Sequence, residues 1–223
     1  QIEYWNNLCK EYKFSIPHIV VEGGVTRFLS VKNGLEKVDN KSIVAIHDGI
    51  RPLISPRLIN TLIYMTQDPH NPGAIPVIPI KSSIRKIEKL PDFFVSSRFY
   101  DGEETNRVML TKKINEPVSR MNLYKSQTPQ CFRSDEIKTV YEQVVHHQQD
   151  CMTDDASIFD WGTIRIDVNQ RGPFDASTPW EASKISIVKG DEKNIKITTE
   201  LDLIIAEAIM ENDEKKLKKK PIK

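Results

Sequence analysis

Three polar clusters in the sequence carry residue types that bind charged ligands. The first is the segment HDGIRP at residues 47–52, which directly follows a predicted strand. Asp48 could hold a metal ion or a ligand hydroxyl, and Arg51 could bind a phosphate through two parallel hydrogen bonds. The two residues could equally form an ion pair that stiffens a loop. The position favours a functional role, because ligands of open α/β sheets bind beyond the carboxyl ends of the strands.

The other two clusters lie at helix starts. In GGVTRFLS at residues 23–30, glycines let backbone N–H groups approach a ligand and Ser30 could bond to a base or a ribose. Two glycines before a helix also form ordinary turns. In DEKNIKITT at residues 191–199, Lys196 precedes the last predicted helix, where it could bind a phosphate or remain a solvated surface charge. Neither cluster identifies a reaction by itself.

Two further polar segments lie between these clusters, QTPQCF at residues 127–132 and MTDDAS at 152–157. In the second, Thr153 is predicted to cap a helix with acidic residues in its first turn. The two aspartates could instead hold a metal. The chain has no Ser-His-Asp or Cys-His pattern, so a side-chain nucleophile is not predicted.

Short apolar runs alternate with amphipathic stretches and predict strands and helices in turn. Strands are predicted at residues 18–21, 42–47, 73–80 and 184–188, and helices at 2–12, 26–35, 58–66, 134–147 and 200–210. Thr26, Ser55 and Ser134 are predicted helix caps. The continuous apolar run at 42–47 is typical of a strand buried on both faces of a parallel sheet. The alternation predicts βαβ units and an open α/β sheet.

The pattern changes in the middle of the chain. Residues 82–88 and 107–125 have extended character and flank a turn-rich segment, which predicts a β-hairpin arm within 81–126 that projects from the α/β body. Because an isolated hairpin is marginally stable in water, we expect a partner subunit to cover it. Residues 171–182 are predicted to form a surface insertion, and the basic tail at 213–223 to be solvated and frayed.

The composition limits the class of protein. The 223 residues include 32 Lys+Arg and 31 Asp+Glu, a net charge of +1, which argues against a general nucleic-acid binder. No apolar run could span a membrane, no secretory signal opens the chain, and the three cysteines have no CxxC spacing. We therefore expect a soluble, cytoplasmic protein without nucleic-acid or membrane partners, folded as one domain over residues 1–223.

The first residues predict that the natural chain begins earlier. Gln1 rather than Met opens the sequence, and it stands at the start of a predicted helix with apolar positions at helical spacing. Such a helix should pack on a part of the protein that the sequence does not contain. The domain is therefore expected to be incomplete at its N-terminus.

Five motifs in this order carry a family resemblance. GGxxR with a following Ser, HDGIRP, QTPQxF, TDDAS and NIKIT resemble the 2-C-methyl-D-erythritol 4-phosphate cytidylyltransferases. The resemblance implies a Rossmann-like nucleotidyltransferase fold, a homodimer joined by exchanged β-arms, and dependence on Mg²⁺. It implies that CTP and the polyol phosphate give 4-diphosphocytidyl-2-C-methyl-D-erythritol and pyrophosphate, on the non-mevalonate (MEP) route of isoprenoid biosynthesis.

The resemblance also implies roles for individual residues, and its predicted site falls into overlapping groups. The nucleotide group is Gly24, Ser30, Asp48, Gly49 and Lys196, of which Asp48 would also hold the metal. The polyol-phosphate group is Arg51, Ser83, Arg120 and Thr153, with Ser83 at a position where the family usually has Thr. Catalysis would rest on Asp48, Lys196 and Arg120. Ser83 and Arg120 lie on the predicted arm and would serve the neighbouring subunit's site.

The sequence departs from the family pattern at its beginning. The family starts with a strand and a Gly-rich loop that carries an arginine and is followed by a lysine, and none of these is present here. A chain without that loop is expected to turn over little or no substrate. Two alternatives to the erythritol enzyme are a ribitol-5-phosphate cytidylyltransferase and a non-catalytic dimerising relative that has lost the nucleotide loop.

Overall fold

The computed structural model describes residues 1–87, 95–100, 103–108, 115–144, 153–168 and 185–218. The chain forms two compact units, a larger one from residues 1–77 and 126–223 and a smaller one from residues 78–125. The predicted surface insertion at 171–182 lies outside the described residues, as do residues 219–223 of the predicted tail. None of the described helices is long and apolar enough to cross a membrane.

Helices and strands alternate along the described chain, as predicted for an α/β protein. The helices are α1 (Ile2–Glu11), α2 (Arg27–Leu35), α3 (Pro56–Gln67), α4 (Ser134–Gln143), α5 (Asp155–Val168) and α6 (Glu200–Lys218). The strands are β1 (Ile43–Ile46), β2 (Gly73–Pro79), β3 (Ile84–Ile87), β4 (Val95–Tyr100), β5 (Glu103–Val108), β6 (Asn115–Val118), β7 (Tyr124–Ser126), β8 (Gln130–Arg133) and β9 (Ser186–Lys189).

The sheet of the larger unit is mixed, whereas the predicted βαβ units imply parallel strands. Strand β8 runs antiparallel to β1 on one side and to β2 on the other, whereas β9 runs parallel to β2. Ala74 of β2 pairs with both Cys131 of β8 and Ser186 of β9. Beyond β2 the chain passes through residues 80–123 to β7 and then enters β8, and the described part of that stretch contains no crossover helix of the kind that a parallel return requires. The reversed direction of β8 follows from that connection.

Helices cover both faces of this sheet. Phe132 of β8 packs in a large core with residues of α2, α4 and α5, and its ring stacks on Phe159 with centroids 5.3 Å apart. The preceding residue, Cys131, packs instead with Leu58 and Leu62 of α3. Because successive side chains of a strand point to opposite faces, α3 covers one face and the other three helices cover the opposite one. The open α/β fold predicted from the sequence is confirmed.

Strand predictions fail at two places. Residues 18–21 are not a strand, because the described residues place no strand beside them for backbone pairing. Strand β1 is correctly located but its side chains are only half-buried, and Ala45 is exposed. Within the described chain β1 pairs with β8 alone, so it is not the doubly covered strand that its apolar run predicted.

Two of the four predicted helix caps, Thr26 and Ser55, are confirmed. The hydroxyl oxygens of Thr26 and Ser55 accept the Leu29 and Leu58 N–H groups at 3.2 and 3.3 Å. Ser134 is not a cap, because it is already the first residue of α4. Its buried Oγ accepts the Ser42 N–H at 3.0 Å, so the hydroxyl attaches the helix to the residue before β1.

The last helix is longer than predicted. It was expected to end at Met210, but α6 continues to Lys218 and therefore includes half of the predicted frayed tail. Lys193 binds both carboxylate oxygens of Asp213 at 2.6 and 2.7 Å, and Lys215 lies one turn from Glu211 at 3.3 Å. In each pair a charged side chain beyond Met210 is bonded to an oppositely charged side chain of the same chain. These bonds favour continuation of the helix.

The start of α6 gives a prediction on pH. Asp202 accepts the backbone N–H groups and the hydroxyls of Thr198 and Thr199, and these bonds lower its pKa from 3.8 to about 2. Because the pKa is lower in the folded state, Asp202 stabilises the fold at pH values above its ordinary pKa of 3.8. This stabilisation is lost as the pH falls through about 2. An NMR titration of the Asp202 carboxyl carbon should have its midpoint near 2. A midpoint near 3.8 would contradict the bonding described.

The smaller unit contains two antiparallel strand pairs. Strands β3 and β6 pair from Ile84 with Val118 to Ile87 with Asn115. Strands β4 and β5 pair from Val95 with Val108 onward. That this unit acts as an arm covered by a partner subunit stays a prediction.

Candidate functional site

The end of β1 and the segment before α6 bring three of the predicted residues together. The Asp48 carboxylate, two residues beyond β1, lies 3.1 Å from Arg51 Nε and 3.4 Å from Lys196 Nζ. Arg51 is further fixed because its Nη1 donates to the Asn194 carbonyl at 2.9 Å. The HDGIRP and NIKIT motifs therefore form one cluster with two cations around one carboxylate.

The carboxylate at the centre of this cluster is held in its ionised form. Burial alone would raise the pKa of Asp48, but the hydrogen bond from Arg51 and the nearby charge of Lys196 lower it below its ordinary value. The Asp48 side chain is 14% exposed, whereas that of Lys196 is 45% exposed. The site thus combines a fixed anion, a fixed guanidinium and an ammonium group that has room to move.

The 127–128 segment contacts both parts of the cluster. Thr128 Oγ1 accepts the Asp48 N–H at 3.0 Å and lies 3.0 Å from Nδ1 of His47. The Thr128 carbonyl accepts the Asn194 side-chain amide at 2.8 Å. Gln127 donates through its side chain to the carbonyl oxygens of Asp191 and Asn194. Sequence reasoning singled out QTPQ as a motif but assigned it no role.

The glycine-rich turn before α2 is compact and internally bonded. The Gly24 N–H donates to Ser30 Oγ at 3.0 Å, and the Ser30 hydroxyl donates to the Thr26 carbonyl at 3.0 Å. A Cβ at Gly24 would lie 2.2 Å from that of Leu29, so the close approach of the turn to the helix requires glycine here. The predicted nucleotide residues Gly24 and Ser30 therefore bind each other.

The TDDAS segment is built differently from its prediction. Asp154, not Thr153, caps α5: its carboxylate accepts the Ser157 N–H at 2.9 Å while the Ser157 hydroxyl accepts the Asp154 N–H at 3.1 Å. This reciprocal pair satisfies two backbone donors, which a threonine one residue earlier cannot do. Gln130, fully buried on β8, also donates to Asp154 at 2.9 Å. Thr153 is exposed at the start of the segment.

The second aspartate of that segment binds a cation of α2. Both oxygens of Asp155 accept from Arg27, at 3.0 and 2.7 Å, and the Tyr141 hydroxyl donates to Asp155 at 2.5 Å. The Asp155 side chain is fully buried while that of Arg27 is 41% exposed. In the part of the chain described, no group of three or more acidic, His or Cys residues could hold a metal. Both aspartates are bonded within the protein, Asp154 at the start of α5 and Asp155 to Arg27, which favours the helix-start interpretation over the metal-binding alternative.

The remaining predicted site residues lie in a turn of the larger unit or within the smaller unit. Gly49 lies in the exposed turn between Asp48 and Arg51. Ser83 and Arg120 are exposed residues of the smaller unit, where Arg120 Nη1 donates to the Lys81 carbonyl. Their proposed service to a neighbouring subunit stays a prediction.

Sequence comparisons point to one family. A family model described as IspD, 2-C-methyl-D-erythritol 4-phosphate cytidylyltransferase, matches residues 3–96. The enzyme of that name from Azobacteroides pseudotrichonymphae is 37% identical over 211 residues, which cover 95% of this chain and 74% of the relative. The one from Phocaeicola vulgatus is 32% identical over 210 residues, covering 94% and 74%.

Solved structures agree with this. A crystal structure of 4-diphosphocytidyl-2C-methyl-D-erythritol synthase from Anaerococcus prevotii matches with a TM-score of 0.61 and 25% identity, over 92% of this chain and 77% of that one. The Francisella tularensis IspD structure shares the fold with a TM-score of 0.60 at 22% identity, over 87% and 74%. With identities above 30% over nearly all of its length, the chain belongs to the 2-C-methyl-D-erythritol 4-phosphate cytidylyltransferase family.

Proposed function

We propose that the Asp48 cluster is the part of a cytidylyltransferase site that binds phosphates, with CTP and 2-C-methyl-D-erythritol 4-phosphate as substrates. The observation that carries this is one ionised carboxylate held between Arg51 and Lys196 beyond the end of β1. In the reaction, a phosphate oxygen of the polyol phosphate attacks the α-phosphorus of CTP. The bond from that phosphorus to the bridging oxygen breaks, and pyrophosphate leaves.

The chain's own residues would supply positioning and positive charge. Arg51, fixed at Nε by Asp48 and at Nη1 by the Asn194 carbonyl, would direct its remaining N–H groups at the polyol phosphate. Lys196, half-exposed, would turn from Asp48 toward the triphosphate when the nucleotide binds. Because the attacking group is itself an anion, the step needs charge compensation and alignment more than a side-chain nucleophile.

We propose Mg²⁺ as the cofactor, with Asp48 as its protein ligand. Magnesium sites for phosphate chemistry use one or two carboxylates and take their other ligands from phosphates and water, so a single ionised Asp fits. Both cationic contacts of Asp48 fall on Oδ2. When bound, Mg²⁺ would neutralise charge on the phosphates that Arg51 and Lys196 contact.

The direct test is pyrophosphate release by the full-length protein with CTP, Mg²⁺ and methylerythritol phosphate. Ribitol 5-phosphate under the same conditions is the matched comparison. Release with the first polyol and little with the second is the expected result, and family membership favours it over the ribitol enzyme and over a non-catalytic relative. Equal turnover of both would overturn the substrate assignment, and no turnover of either would overturn the proposed function.

Arg120 gives a sharper test of the polyol-phosphate side. Arg120→Ala is expected to lower pyrophosphate release at least tenfold, about 1.4 kcal/mol, because a guanidinium that holds phosphate is lost. Steady-state kinetics with each substrate varied would measure it. Arg85→Ala, on β3 of the same unit, is the control and should retain activity. Equal losses in the two variants would contradict a specific role for Arg120.

We propose a homodimer in which the smaller unit contacts the partner. Support comes from the two antiparallel strand pairs described in this unit, because an isolated pair of strands is marginally stable in water. Sedimentation velocity at micromolar concentration should show a species of twice the monomer mass. A monomer alone would contradict the proposed arm.

We also propose that the protein works in the cytoplasm. Cys9 and Cys131 are free thiols, which a reducing compartment preserves. Fractionation of the source cells with antibody detection would test this.

A further inference from the structure

We propose that Gln127 and Thr128 are positioning residues which hold the Asp48 loop, residues 47–51, and the Lys196 segment, residues 191–196, in register with each other. The inference rests on the proposed function, because it assigns a task to residues that touch no reacting atom. Thr128 and Gln127 are buried, with 5% and 4% exposure. The Thr128 hydroxyl contacts the Asp48 loop, whereas the Gln127 side chain and the Thr128 carbonyl contact the Lys196 segment.

The hydroxyl of Thr128 serves the Asp48 loop. Its oxygen accepts the Asp48 N–H at 3.0 Å and lies 3.0 Å from His47 Nδ1. The other ring nitrogen of His47 lies 3.0 Å from the Arg51 carbonyl oxygen, and the Arg51 N–H donates back to the Asp48 carbonyl at 3.0 Å. These bonds close the loop on itself, and the hydroxyl ties it to the 127–128 segment.

The side chain of Gln127 serves the Lys196 segment. Its amide exchanges two bonds with the backbone of Asp191: Nε2 donates to the Asp191 carbonyl at 2.8 Å, and Oε1 accepts the Asp191 N–H at 3.1 Å. Nε2 also lies 3.2 Å from the Asn194 carbonyl, two residues before Lys196. The Thr128 carbonyl accepts from the fully buried Asn194 side chain, so this second attachment has four bonds to two residues.

The segment itself is attached to the sheet. The Gln127 N–H donates to the Pro76 carbonyl of β2 at 2.8 Å. The segments that carry Arg51 and Lys196 are therefore both hydrogen-bonded to Gln127 and Thr128, and Gln127 is in turn hydrogen-bonded to β2. In a reaction whose rate depends on alignment, such attachments act through the residues that bind substrate.

The two attachments can be cut separately. Thr128→Val keeps the volume and removes the hydroxyl, Thr128→Ser keeps the hydroxyl, and Gln127→Leu removes the amide. Amide hydrogen exchange should rise roughly tenfold or more at Asp48 in Thr128→Val, with Asp191 unchanged. Gln127→Leu should give the opposite pattern. A uniform rise over the larger unit in either variant would indicate general destabilisation and would overturn the inference.

Activity supplies the second readout. Thr128→Val and Gln127→Leu should each lower kcat/KM for pyrophosphate release at least tenfold in the full-length protein, and Thr128→Ser should recover to within about threefold of the wild type. Localised exchange with unchanged activity would overturn the positioning role but leave the proposed function standing. A wild-type protein that releases no pyrophosphate would instead show that the proposed function has failed, while the exchange pattern would still decide whether the segment holds the two parts.

Discussion

Replacement of Asp48 by asparagine is expected to lower kcat/KM for pyrophosphate release at least 100-fold, about 2.7 kcal/mol. The variant removes the negative charge that orients Arg51 at 3.1 Å and Lys196 at 3.4 Å, and it removes the proposed ligand of Mg²⁺. Asparagine keeps the shape of the side chain and its backbone N–H, so the bond to Thr128 remains possible. The loss should therefore come from charge and be visible at saturating CTP.

Asp213→Asn is the matched control for that experiment. Asp213 is also bonded to a lysine, Lys193, at 2.6 Å, but both side chains are over 40% exposed. Exposed ion pairs contribute little to stability, and this one joins Lys193 to α6 without contacting Asp48, Arg51 or Lys196 in the contacts described. Activity should stay within about twofold of the wild type. A loss in Asp48→Asn no larger than in Asp213→Asn would contradict a central role for Asp48.

Arg27→Met should lower the free energy of unfolding by about 3 kcal/mol. Removing the arginine leaves the carboxylate of Asp155 fully buried with no cation beside it, and only the Tyr141 hydroxyl donates to it among the contacts described here. The loss is set at the lower end for a broken buried pair because Arg27 is 41% exposed. Urea denaturation at neutral pH, with the slope unchanged, would measure it.

Asp155→Asn removes the anion of the pair instead of the cation, and it should lower the free energy of unfolding by less, about 1–2 kcal/mol. The charge left behind is then the half-exposed guanidinium, which water can reach, and an amide oxygen can still accept from Tyr141. The order of the two losses is the informative result. If Asp155→Asn proved the more damaging, the burial of the carboxylate would not be the controlling factor.

Local features of the fold are predictable from the sequence. The caps at Thr26 and Ser55 depend on a hydrogen bond three residues away, so the pattern alone identifies them. Strand β8 is different: its four residues, Gln130–Arg133, form no apolar run, so no strand is predicted there. Ser134 fits a cap equally well, but its hydroxyl is used by Ser42, which is 92 positions away.

The candidate site also combines residues that the sequence pattern identifies with residues that it does not. Asp48 and Arg51 are recognisable because they are close in sequence and follow a strand. Their supports are not, since Thr128 and Asn194 stand 80 and 143 positions away from Asp48 and Arg51. Arg27 binds Asp155 across 128 positions. Nothing in the TDDAS pattern distinguishes an aspartate that binds metal from one that binds an arginine.

The buried thiol on β8 offers a way to measure how often the core between the sheet and α3 opens. Burial raises the pKa of Cys131 to about 12, so almost no reactive thiolate exists at neutral pH, and the side chain is fully enclosed beside α3. An alkylating reagent can reach it only after α3 separates from this face of β8. Cys9, half-buried on α1, reacts without that separation and provides the reference rate. The ratio of the two labelling rates reports, in the absence of denaturant, how often α3 separates from the sheet.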